Sequence, residues 1–263
     1  MIGFYDSGIG GITILQEVLK IKPELSYIYL ADTQILPLGD KPLDFIQNRV
    51  KKACQYLFEN GCSIVVLACN TASVTTIRHI QQVWLAGKTH QKVLGVTKPL
   101  VEMLEDKFSK YKNCQGVILS TQATHNSGFY QYEFLKSGFI NLNSIPCTGL
   151  ADAIENNNEM LIHNILETQL KHFDATEIDY VVLACTHYKW AIPQIQQYFN
   201  KAEILEPSQF VAERLVDYID RHSEIILGRS GESRFLATFL SINLNKALAL
   251  CHLGQEIETC SLN

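Results

Sequence analysis

Positive charge is not in excess in this chain: 22 lysines and arginines stand against 27 aspartates and glutamates, for a net charge of −5. The basic residues are scattered rather than gathered into a stripe, which argues against a nucleic-acid or other polyanionic partner. No apolar run reaches the roughly 18 residues of a membrane span. The most apolar stretch, Phe235 to Leu253, is broken by Ser241, Asn243, Asn245 and Lys246. The opening residues Met1-Ile2-Gly3-Phe4-Tyr5-Asp6 lack the basic and long apolar regions of a secretory signal. These absences predict a cytoplasmic protein without membrane contact. There is also no low-complexity tract and no Pro/Gly/Ser-rich linker. At 263 residues, 47% of them hydrophobic, the chain is a globular protein of one large domain or two lobes.

The eight cysteines, at 54, 62, 69, 114, 147, 185, 251 and 260, contain no C-x-x-C pair, which argues against a zinc site. With no export signal they read as reduced thiols rather than as a disulfide framework. Cys54 falls at helical spacing with Leu43, Ile46, Val50 and Leu57 in a helix from Pro42 to about Glu59, stopped by Asn60-Gly61, so it reads as core. His79, His90, His163, His172 and His222 read as surface residues, and His125 as the rim of a cleft.

Strand-like runs at Ile2 to Asp6, Tyr27 to Ala31, Ser63 to Ala68, Val93 to Val96, Val117 to Ser120, Asn141 to Ile145 and Asp179 to Ala184 alternate with helical patterns. Alternation of this kind predicts an α/β fold of mainly parallel sheets with crossover helices. In such sheets ligands bind beyond the carboxyl ends of the strands, so unusual residues there carry the functional signal.

One such end occurs twice. Val65-Val66-Leu67-Ala68-Cys69 recurs as Val181-Val182-Leu183-Ala184-Cys185, and hydrogen-bonding residues follow each copy, Asn70-Thr71-Ala72-Ser73 and Thr186-His187-Tyr188. Asp6-Ser7-Gly8 ends the first strand, with Cys69 63 positions after Asp6, and Ser120-Thr121 ends a later strand, with Cys185 64 positions after Thr121. The pattern predicts a duplicated chain of two pseudo-symmetric lobes facing across a cleft, each contributing one cysteine.

Two thiols on opposite sides of a bound carbon suit inversion of a stereocentre beside a carboxylate. One takes the proton from one face and the other delivers a proton to the opposite face. A cysteine at a helix N-terminus has its pKa lowered by the dipole and free N–H groups, and Cys69 precedes such a helix, running through Ile80 and Trp84. Gly8-Ile9-Gly10-Gly11 lets backbone N–H groups approach an anion such as a carboxylate; a tight structural turn would use the same residues. It matches neither the dinucleotide pattern nor a Walker loop.

Taken in order, Asp6-Ser7-Gly8-Ile9-Gly10-Gly11, Ala68-Cys69-Asn70-Thr71-Ala72, Thr121-x-Ala123-Thr124 and Cys185-Thr186-His187-Tyr188 resemble the signature segments of glutamate racemase, of the aspartate/glutamate racemase superfamily. The resemblance extends to Asp32-Thr33, to Pro37-x-Gly39-x-Lys41-Pro42 and to Val211-Ala212, and fades after about Gly228. It implies a cofactor-independent racemase without metal. Cys69 and Cys185 would be the paired acid/base thiols, with Asp6 beside Cys69, His187 beside Cys185 and Glu155 as an acidic helper. Ser7, Asn70, Thr71, Thr121, Thr124 and Thr186 would hold the substrate, L- or D-glutamate, with Pro37, Leu38 and Gly39 in its pocket. It further implies residues 1–97 plus 207–263 as a discontinuous first lobe, 98–206 as the second, a homodimer, and supply of D-glutamate for peptidoglycan.

Several positions depart from the family pattern. Leu38 stands where the family usually has tyrosine, which removes a hydroxyl from the pocket and opens an alternative substrate, aspartate or another acidic amino acid. Ser120 replaces a glycine, Lys98 an acidic residue, and Lys189-Trp190 a Pro-Leu pair. A catalytically idle protein that keeps the cleft to bind a regulatory protein partner is the reading from a different class, and retention of both thiols argues against it. A metalloenzyme built on Cys185-Thr186-His187 would have too few ligands.

Overall fold

The computed structural model of the protein describes residues 1–263 except 89, 108, 172, 223–232, 255 and 263. His172 and Gly228 therefore lie outside the described residues.

Two parallel sheets organise the chain. The first has the order β10-β9-β2-β1-β3-β4, with β1 Ile2–Asp6, β2 Tyr27–Ala31, β3 Ile64–Leu67, β4 Lys92–Gly95, β9 Arg234–Ala237 and β10 Ile257–Thr259. The second has the order β6-β5-β7-β8, with β5 Gly116–Ser120, β6 Leu142–Pro146, β7 Tyr180–Ala184 and β8 Glu203–Leu205. All seven strands anticipated from the sequence are present within about two residues at each end. Within Phe235 to Leu253 the chain forms β9 and then a helix, Ile242–Leu250.

Helices cover both faces of each sheet, which is why the strands read as unbroken apolar runs rather than as alternations. Phe4 and Val66 pack into one buried cluster of the first sheet, Tyr5, Val65 and Leu67 into the cluster on its other face. In the second sheet Val117 and Leu119 face one cluster and Ile118 the other. Helix α1 (Ile12–Ile21) buries Ile12, Leu15 and Val18 in the same cluster as Val211, Ala212, Leu215 and Ile219 of the helix Ser208–Arg221. Each such valine, leucine or isoleucine contributes about 1.5–3 kcal/mol of hydrophobic free energy before chain entropy is counted. Helix α2 (Leu43–Glu59) buries Ile46, Val50, Cys54 and Leu57 at the anticipated spacing, and Gly61, with φ +90°, turns the chain out of it. Leu43, anticipated on the same apolar face, is instead 56% exposed, at the first residue of the helix.

The chain leaves the first sheet after β4, builds the second through β8, and returns through Ser208–Arg221 to β9. The returning segment is tied down by a buried ion pair. Asp32 accepts from Arg49 Nε at 2.8 Å and Nη2 at 2.7 Å, from Tyr5 at 3.2 Å and from Thr238 at 2.9 Å, and Arg49 also donates to the carbonyl of Leu262. Among the described residues no helix is long and apolar enough to cross a membrane.

Strand order repeats between the sheets, β2-β1-β3-β4 against β6-β5-β7-β8, so the two identical segments occupy equivalent strands beside equivalent neighbours. The register corrects one sequence correspondence. Tyr5 pairs with Leu67 and Leu119 with Leu183, which makes Ser7, not Asp6, the counterpart of Thr121.

Candidate active site

Both cysteines stand just past the carboxyl ends of their strands, Cys69 before the helix α3 (Asn70–His79) and Cys185 before the 3-10 turn Thr186–Ala191. They border one narrow cavity of about 20 Å³ together with Ser7, Leu38, Thr71 and Thr121. A space of that size holds about one water molecule. Pro37, Gly39 and His187 also border it. Asp6, Asn70, Thr124, Glu155 and Thr186 stand behind this rim, all of them buried.

Cys69 has Ser7 Oγ 3.9 Å from its sulfur. Burial and the neighbouring Asp6 carboxylate push its thiol up to about 12, against the backbone N–H of Ala72, which pulls it down. The helix N-terminus is thus present as anticipated, but desolvation and a like charge outweigh it and hold Cys69 as a neutral thiol. The charge around Cys185 differs. His187 touches both Cys185 and Glu155; burial lowers its affinity for a proton, but Cys185, Glu155 and Asp6 together raise it well above the ordinary imidazole value.

Asp6 is fully buried, and burial raises its pKa while His187 and the N–H of Gly8 lower it. Its Oδ1 accepts from Gly8 N at 2.8 Å and its Oδ2 from Thr186 Oγ1 at 3.2 Å. Asp6 therefore links the two sheets as well as flanking Cys69. Glu155, at the end of α7 (Leu150–Glu155), accepts from Ile9 N at 3.0 Å and lies 2.8 Å from His187 Nε2 through the same oxygen, Oε2. Its other oxygen, Oε1, is buried without a hydrogen-bond partner among the described residues, and Asn243 donates to its backbone carbonyl at 2.7 Å.

The glycine turn takes its meaning from these carboxylates. Gly8 and Ile9 donate to anions, as anticipated, but the anions are Asp6 and Glu155 of the protein itself. None of Gly8, Gly10 and Gly11 has a positive φ; closeness requires them. A Cβ on Gly10 would lie 2.4 Å from Thr186 Oγ1 and 2.6 Å from His187 Nδ1, and one on Gly8 would lie 2.4 Å from Glu155 Oε2. Tyr29 donates to the Gly8 carbonyl at 2.9 Å and holds the turn down.

On the other side of the cavity, Thr71 Oγ1 lies 2.8 Å from Thr121 Oγ1 and 3.4 Å from Thr124 Oγ1. Thr121 also caps α5 (Gln122–Asn126), accepting from Thr124 N at 3.3 Å. Gly39 presses against Thr121, where an added Cβ would lie 2.6 Å from the threonine Cβ. His125, anticipated at the rim, is half-buried and bonded to Ser144 at 2.9 Å instead.

Three neighbours escaped the sequence reading. Cys147 borders the cavity, its thiol pushed up to about 12 by burial and then by Cys185. It follows β6, so attention to every strand end, rather than to the repeated ones, would have found it. Tyr130 and Asn243 carry no such signal: each is a single polar group in an otherwise ordinary helix. Among the described residues no cluster of three or more His, Cys, Asp or Glu could hold a metal ion.

The glutamate racemase of Paracoccus denitrificans is 33% identical over 254 residues, covering 90% of this chain and 91% of that protein. The crystal structure of glutamate racemase from Francisella tularensis in complex with D-glutamate matches with a TM-score of 0.82 at 25% identity, covering 100% of this chain and 97% of that one. That of Aquifex pyrophilus matches with a TM-score of 0.78 at 27% identity, covering 98% and 97%. No family model matches the chain.

Proposed function

The chain belongs to the glutamate racemase family of amino-acid racemases, and on that premise we propose that it interconverts L- and D-glutamate by a two-thiol mechanism without cofactor, the D-isomer serving peptidoglycan synthesis. The observation that carries this reading is the pair Cys69 and Cys185, brought from equivalent strand ends of two sheets to one cavity. One sulfur, as thiolate, takes the α-proton and leaves the electron pair on carbon beside the carboxylate. The other, as thiol, gives its proton to the opposite face, and the charge has moved from one sulfur to the other.

The surroundings of the two sulfurs support distinct resting roles. Cys69, neutral beside Asp6, is the proton donor; Cys185 adjoins the His187 cation, which the Glu155 carboxylate accompanies. Ser7, Thr71 and Thr121 at the cavity edge, with Asn70, Thr124 and Thr186 behind them, supply hydrogen bonds for the α-amino and carboxylate groups.

A cavity of about 20 Å³ is far smaller than glutamate, so substrate enters when the halves built on the two sheets, 1–97 with 207–263 and 98–206, swing apart. Among the bonds that open are Ile9 to Glu155, Thr186 to Asp6 and Thr71 to Thr121. Reclosure over the substrate excludes water from the carbanion.

Exchange of the α-hydrogen with solvent deuterium, followed for both enantiomers, tests the reading. Wild-type protein exchanges both, whereas Cys69→Ser and Cys185→Ser lose racemisation. No exchange by the wild type, or unchanged exchange by either variant, sinks it.

A further inference from the structure

Tyr130 belongs to α6 (Phe129–Lys136), which starts at Gly128 in the left-handed conformation with φ +63°. Its ring is packed in the apolar cluster of the second sheet, stacked on Phe134 at 5.6 Å and edge-on to Phe129 at 5.3 Å. Its hydroxyl leaves that cluster and donates to Asn70 Oδ1, on the first turn of α3 in the half built on the first sheet. Both residues are buried, with Tyr130 1% and Asn70 3% exposed. Asn70 sits between Cys69 and Thr71, two residues on the cavity wall.

A primary amide has one accepting end and one donating end, and can present either. Turned with its oxygen toward a bound carboxylate, Asn70 would repel it; turned the other way, its N–H groups would hold it. Something must choose. A phenol hydroxyl is a stronger donor than acceptor, because its oxygen lone pair is delocalised into the ring, so while it keeps its proton it favours the amide oxygen as its partner and makes that choice. Burial, then the nearby thiols, raise the Tyr130 pKa well above its ordinary value, so it donates throughout the working range.

We propose that Tyr130 is a positioning residue that acts through Asn70, fixing the amide with its N–H groups free for the substrate carboxylate whenever the two halves close. The inference rests on the racemase reading above. The bond crosses between the halves, so it forms on closure and breaks on opening. Asn70 is thus oriented only in the closed state in which the chemistry occurs.

Steady-state racemisation by Tyr130→Phe, which removes one oxygen and keeps the stacked ring, tests the inference in both directions of the reaction. Loss of a buried hydrogen bond of ordinary strength is expected to raise KM for L- and D-glutamate about tenfold, with kcat changed much less. In an Asn70→Ala background the further effect of Tyr130→Phe is expected to vanish, and a purely structural role would not produce that dependence. Wild-type KM in Tyr130→Phe, or an equal loss with and without Asn70, overturns the inference. Should Tyr130→Phe fold poorly, Asn70→Asp gives an independent test. Both terminal atoms of aspartate accept, so Tyr130 can select no donor; saturation by glutamate should be lost while Tm stays near the wild-type value, and wild-type saturation overturns the inference. Wild-type protein that fails to racemise removes the two-thiol reading and this inference together, whereas an active wild type with an unaltered Tyr130→Phe removes this inference alone.

Discussion

His187 Nε2 lies 2.8 Å from Glu155 Oε2, and that same oxygen accepts the Ile9 N–H of the opposite half at 3.0 Å. One carboxylate oxygen therefore ties the imidazole that adjoins Cys185 to the glycine turn that follows β1. Truncating Glu155 would leave a buried imidazolium without its adjoining carboxylate and the Ile9 N–H without a partner. Glu155→Ala is expected to lower the free energy of unfolding by about 3–5 kcal/mol, the usual cost of removing one member of a buried pair. Urea unfolding measures it, and a loss near zero would mean that the pair contributes nothing to the closed form.

The same pair makes stability depend on pH with a definite sign. Folding raises the His187 pKa well above the ordinary value of 6.5. Below that value both folded and unfolded chains hold the proton and the contribution is fully present; as pH rises through the folded pKa the proton leaves and the contribution is lost. The urea midpoint should therefore fall as pH climbs above the ordinary imidazole value, and His187→Gln should flatten that slope. An identical slope in the variant would show that other groups carry it.

Asp6 and Cys69 give a prediction about charge alone. Burial is the main reason the Cys69 thiol sits near 12, and the Asp6 carboxylate is the next. Asp6→Asn keeps the size and removes the charge, so the Cys69 pKa should move down. Mass-spectrometric rates of Cys69 alkylation against pH should show the midpoint at lower pH in Asp6→Asn than in wild type. A midpoint that stays or rises would mean that the carboxyl is already neutral in the closed cavity.

Much of this arrangement was legible in the sequence, and the reasons are physical. Both faces of each sheet are covered, so strands such as Phe4-Tyr5 and Val181-Val182-Leu183 appear as dense apolar runs, and the residues that end them stand out. Cys69, Cys185, Thr121 and His187 stood out in that way. Glu155 did not, because a carboxylate at the end of a short helix looks the same whether it faces water or, as here, a histidine and a backbone N–H from another half of the chain. Nor could the sequence tell that the glycine turn receives the protein's own carboxylates, since the partners of Gly8 and Ile9 are set by closure of one sheet layer against the other. β8 and β10 were missed because strands of three residues are too short to stand out as an apolar run, and β9 because its Phe235-Leu236-Ala237 opens a longer apolar stretch that hides where the strand stops. Tyr130 was missed because its function lies in one hydroxyl bonded across the cleft.

Leu38 bears on which acidic amino acid the cavity prefers. It is 2% exposed and borders the cavity, and the tight contact of Gly39 with Thr121 fixes the chain beside it. A leucine at this wall offers the distal carboxylate of a substrate no hydrogen bond, so at this position discrimination between glutamate and the shorter aspartate rests on shape. Shape discriminates weakly, and a polar partner placed for one ligand discriminates more strongly. Leu38→Tyr restores the residue usual in the family and supplies a hydroxyl donor, worth about tenfold when it meets a carboxylate. The ratio of kcat/KM for glutamate to that for aspartate should rise by about that factor in the variant. A ratio that falls would mean that the added ring obstructs the longer diacid by more than its hydroxyl helps to hold it; the wild-type ratio, measured in the same assay, states which diacid the native pocket prefers.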